Sequence, residues 1–88
     1  MTNAIEVLAT GAVLTIPAAI AGIVLVGGTD AATVALSDGT AGTDTVKIRA
    51  TAAANETIPV LFSGSVKFET AVYCTLSGTS AKVYVYYN

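Results

Sequence analysis

Cys74 is the only thiol in a chain of 88 residues that has no histidine and no tryptophan. A cysteine nucleophile needs a base beside it, and histidine, the usual one, is missing. A zinc site would have to combine one thiolate with carboxylates, an unusual donor set. In "AVYCTL" Cys74 keeps phase with Val72 and Leu76, as a small core residue does. Glu6, Glu56 and Glu69 could in principle supply the two carboxylates of glycoside hydrolysis, but sequence spacing says nothing about their separation, and so short a chain leaves little room for a substrate cleft. Asp30, Asp38 and Asp44 fall in neighbouring turns and could meet around calcium, yet the alternating spacing of a calcium loop is missing. "NET" at 55–57 matches a glycosylation sequon, with no secretory leader recognisable ahead of it. No catalytic residue, metal ligand or cofactor is assigned.

The tyrosines are the remaining chemistry. Tyr84, Tyr86 and Tyr87 crowd the last strand with Lys82, and Tyr73 stands apart. Tyr84 and Tyr86 share one strand face with Lys82, opposite Val83 and Val85. Tyrosine beside a long cation suits a protein interface. It also suits stacking on sugar rings, or plain cross-strand aromatic packing.

Strands must carry these residues. From residue 45 onward the pattern has period two. "TVKIRAT" sets Val46, Ile48 and Ala50 against Lys47 and Arg49, "TIPVLF" aligns Ile58, Val60 and Phe62, and "SVKFET" aligns Val66 and Phe68. Segments 37–44, 52–56, 63–65 and 76–80 carry the Gly, Asn, Asp and Ser of turns. Seven or eight short strands at roughly ten-residue spacing predict an all-β fold, a small antiparallel sandwich or a jelly-roll-like barrel.

The apolar run from Ala12 to Val26 is the other conspicuous feature. It is shorter than the roughly 20 residues of a spanning helix, contains Pro17 and Gly22, and has no Lys or Arg before Lys47. A strand fits better: "GIVLV" is β-branched apart from Gly22 and Leu25, and "GGTD" follows as a turn. Ile23, Val24, Leu25 and Val26 are apolar on both strand faces, which implies cover on two sides, one by the core and one by a neighbouring subunit. Residues 1–21 read as an N-terminal arm or a first strand, with a short helix over 3–10 as an alternative; residues 22–88 read as the sandwich. The whole is one domain.

Charged residues make up 11% of the chain, against about 25% in ordinary soluble domains, and the mean hydropathy is +0.71. So charge-poor a chain fits either a part that sits in lipid or a surface that sits against other protein, and the short, proline-broken apolar run favours the second. Four basic residues and a net charge of −2 do not make a phosphate track, so nucleic acid is not expected as a partner. A membrane is not expected either.

The stretch "GIVLVGGTDAATVALSDGTAGTDTVKIRATAAANETIPVLFSGSVKFETAVYCTLSGTSAKVYVYY" resembles small structural proteins of tailed-phage virions. The resemblance rests on Gly28 to Thr33, on Asp38 and Gly39, on Phe62 to Phe68 and on Tyr73 to Tyr86. It covers residues 22–87 and brings no catalytic or ligand residue with it. It implies a virion component made in the host cytoplasm, of the capsid decoration or cement type. A head–tail joint or a fibre module that recognises a host glycan is the alternative. The charge deficit and the doubly apolar strand 23–26 point to self-association, as a trimer, and the resemblance adds a larger virion protein such as the major capsid protein as partner. Lys82, Tyr84, Tyr86, Tyr87 and residues 23–26 are the expected interface.

Overall fold

The computed structural model describes residues 3–88. It contains eight strands: β1 (Asn3–Val7), β2 (Gly11–Leu14), β3 (Ala18–Val26), β4 (Ala32–Asp38), β5 (Thr45–Ala52), β6 (Thr57–Phe68), β7 (Val72–Ser77) and β8 (Lys82–Tyr87). They form two four-stranded antiparallel sheets, ordered β1-β8-β3-β6 and β2-β7-β4-β5. The fold is therefore the expected small β-sandwich.

The pairing follows a simple rule. β4 pairs with β5, β3 with β6, β2 with β7 and β1 with β8, as if the chain were one long hairpin bent at residues 39–44. The ribbon is then rolled so that β3 meets β8 and β4 meets β7. This is jelly-roll winding. Side chains alternate across each strand, and the inward sets of the two sheets meet in one core. Ile20, Ile23, Leu25, Leu36, Phe68, Val72, Cys74, Val83 and Val85 are fully buried there.

Three local findings differ from the sequence reading. Residues 3–10 contain no helix; Asn3–Val7 is strand β1, and β2 follows at Gly11. Residues 3–21 form strands and no separate arm, because β1 joins the first sheet, β2 joins the second, and β3 runs through position 21, so the first-strand alternative is the one that fits; residues 1 and 2 lie outside the described residues. The 63–65 segment is no turn. It lies inside the 12-residue β6, where Ala21 on β3 faces the four residues 62–65 between the pairs Ile20↔Val66 and Gly22↔Leu61. The glycine and serines permit a bulge, and pairing resumes on both sides of it.

The two ends of the sandwich are tied differently. At one end the Gly27 amide donates to the Glu56 carbonyl and the Asn55 amide to the Gly28 carbonyl. A Cβ on Gly28 would overlap the Thr79 carbonyl, so only glycine lets these turns close up. At the other end Asp38, on β4, accepts the amides of Glu69 (3.0 Å) and Thr70 (2.9 Å) beyond β6. Lys47 lies 3.2 Å from the same carboxylate. Its ammonium donates to the Lys67 carbonyl at 2.7 Å and stands 5.8 Å from the Phe68 ring centre. This clamp joins one sheet to the other.

Candidate interaction surface

The residues that point outward from the first sheet form rows across its four strands. One row runs Ala4, Tyr86, Gly22, Leu61; the next runs Glu6, Tyr84, Val24, Pro59; a third carries Lys82, Val26 and Thr57. β8 and β3 supply the centre of this face, and β6 and β1 its flanks. Leu61 is 77% exposed, the most exposed large apolar side chain among the described residues. Gly22 makes room for it, since a Cβ there would come within 2.9 Å of Leu61 Cδ2 and 3.0 Å of the Val60 carbonyl.

One polar contact is built into the face. Tyr84 Oη donates to Glu6 Oε2 at 2.8 Å, across the directly opposed pair Glu6↔Tyr84. This bond to a carboxylate, with some burial behind it, raises the Tyr84 phenol above its ordinary value of 10.0. The ring is therefore held in one orientation, with its hydroxyl toward β1 and its apolar side available.

The expected interface residues divide. Lys82, Tyr84, Tyr86, Val24 and Val26 lie together on this face. Ile23 and Leu25 do not: both are fully buried in the core, because the β3 alternation turns them inward. Tyr87 is also displaced from the set. It pairs with Ile20 and packs against the core cluster from the inner side. Sequence reasoning did not place Glu6, Pro59 or Leu61 here. The parity of Pro59 and Leu61 was readable from "TIPVLF", whereas the pairing of β6 with β3 is a property of the winding.

The opposite face is chemically different. Outward positions on the second sheet include Thr33, Ala35, Arg49, Thr51, Thr75, Ser77 and Tyr73. Thr33 and Ser77 share a hydrogen bond of 2.9 Å. The 39–44 turn folds back over Tyr73 and Thr75, which lie beside Gly42. Ser37, between Tyr73 and Val46, is fully buried, and its hydroxyl finds no partner.

The other candidate groups are dispersed. Cys74 is a core residue whose thiol burial pushes up to about 11. Asp44 accepts the amides of Thr40 and Ala41, and Asp38 is engaged in the clamp. Among the described residues no group of three His, Cys, Asp or Glu is placed to hold a metal ion. Glu56 accepts the Ala53 amide within its own turn, far along the chain from Glu69 at the other end of β6. No helix among the described residues is long and apolar enough to cross a membrane. Set against protein-family models, curated proteins and solved structures, the chain matches none.

Proposed function

We propose that this chain is a virion structural protein of the capsid decoration or cement type, which stabilises a phage head through protein contacts made by the outer face of the β1-β8-β3-β6 sheet. The observation that carries this reading is the composition of that face: two tyrosines, an exposed leucine, a proline and two valines on one rigid sheet. Such rings bury much area at little entropic cost and keep a polar tip for a hydrogen bond. The phage setting comes from the sequence resemblance. The mechanism is mechanical. Each subunit buries apolar area, at about 25 cal/mol per Å² before the costs of association, and symmetry repeats the contact over the shell.

The test is particle purification followed by quantification of the chain. The expected result is a fixed copy number per particle and shells that disassemble more easily without it. Replacing Tyr84 and Tyr86 together by Ser weakens particle binding more than it lowers the melting temperature of the free protein; each lost anchor costs about 2 kcal/mol of binding. Absence from particles overturns the reading. Intact particle binding with loss of binding to host glycan replaces it by a fibre-type recognition module.

A further inference from the structure

A sandwich of two open sheets has four edges, and unpaired edges invite pairing with other chains. Three of them are blocked. β6 carries Pro59, which lacks an N–H, and the 62–65 bulge, and its Lys67 carbonyl is already taken by Lys47. β5 carries Lys47 and Arg49 and breaks register at Lys47. β2 has four residues with a register shift, and just before it Thr10 Oγ1 holds the Leu76 backbone. β1 has none of these devices. Its five residues pair with β8 in unbroken register, without proline, bulge or cation. Its one charge, Glu6, is bonded to Tyr84 on the neighbouring strand, away from the open side.

We propose that β1 is a self-pairing edge: two copies of the chain join β1 to β1 antiparallel about a two-fold axis at Ile5, making one continuous sheet of eight strands. The sequence "NAIEV" is complementary to itself in this register. Asn3 then faces Val7 of the second copy, Ile5 faces Ile5, and Ala4 faces Glu6. All five residues pair, and the two glutamates are kept apart, whereas an axis at Glu6 would oppose them directly. Isologous pairing uses both free edges, so the assembly closes at two, not at the trimer expected from the sequence. The tyrosine rows of the two copies become one surface. The inference goes beyond the virion reading and does not depend on it.

Sedimentation of the full chain over a range of concentrations tests the proposal, with melting as the control for folding. Wild type is expected to be a reversible dimer, with β1 amides exchanging more slowly as concentration rises. Ala4→Glu places two symmetry-related carboxylate pairs across the joint and weakens the dimer roughly tenfold. Ala4→Lys, facing Glu6 instead, leaves it as tight or tighter. A monomer at every concentration overturns the proposal. So does an oligomer on which Ala4→Glu and Ala4→Lys act alike, or one abolished by the Tyr84→Ser/Tyr86→Ser pair and untouched at Ala4, which would place the contact on the face and not the edge.

Discussion

The outer faces of the two sheets are built from the same kind of strand and present opposite surfaces. On the β1-β8-β3-β6 sheet the central rows are Tyr, Val, Gly, Leu and Pro. On the β2-β7-β4-β5 sheet they are Thr, Ser, Ala and Arg with one aromatic, Tyr73, which the chain's own 39–44 turn partly covers. One face is closed by local structure, the other is left open. In a chain with 11% charged residues the first sheet thus keeps an apolar row open on its outer side, with Leu61 the most exposed, while Leu8 and Ile16 are exposed in the connections on either side of β2.

The largest test of that contrast lies within β3. Leu25→Ala, on the core side, is expected to cost about 2–5 kcal/mol. Val24→Ala, on the open face one residue away, should cost under about 1 kcal/mol. Thermal or denaturant melting reads both; equal losses would mean that Val24 is also core and the face is not free.

The second test concerns the clamp that keeps the two sheets, and so the two faces, together. The amides of Glu69 and Thr70, in that order, and then Lys47 lower the Asp38 carboxyl from 3.8 to about 2. A lowered folded-state value contributes stability above the unfolded value and loses it as pH falls. Melting temperature should therefore drop between about pH 4 and pH 2. Asp38→Asn should flatten that acid limb while lowering stability at neutral pH.

Smaller effects separate the faces further. Ser37→Ala on the closed face removes a buried hydroxyl with no partner and should stabilise the chain by about 1 kcal/mol in the same assay. On the open face the raised Tyr84 phenol works in the alkaline direction: its contribution is complete below 10.0 and is lost as pH rises through the higher folded value. Ultraviolet titration of tyrosinate should show a late Tyr84 phenol in wild type, which moves earlier in Glu6→Gln.

Much of the fold was legible because strands with one face inward show it locally. Val83 and Val85 against Tyr84 and Tyr86 needed only alternation to be placed. β3 was harder, since Ile23 to Val26 are apolar on both sides; whether a residue such as Val24 meets core or open surface depends on what covers the sheet, which is a tertiary fact. The 63–65 segment misled for a related reason: Ser and Gly mark a bulge as readily as a turn. Glu6 was out of reach because its partner lies 78 positions away. The same holds for Asp38, whose short side chain resembled ordinary turn chemistry but reaches amides 31 and 32 positions on.

The hairpin winding also sets an order of assembly. Once residues 39–44 close and β4 zips to β5, β6 arrives beside β3 with only a short further loop to close; β7 then reaches β2, and β8 reaches β1. Each step adds a small increment of closure entropy, although the final pair unites opposite ends of the chain. The 39–44 turn should therefore control the folding rate, so that lengthening it slows refolding. Changes in β1, the last strand to dock, should appear almost wholly as faster unfolding.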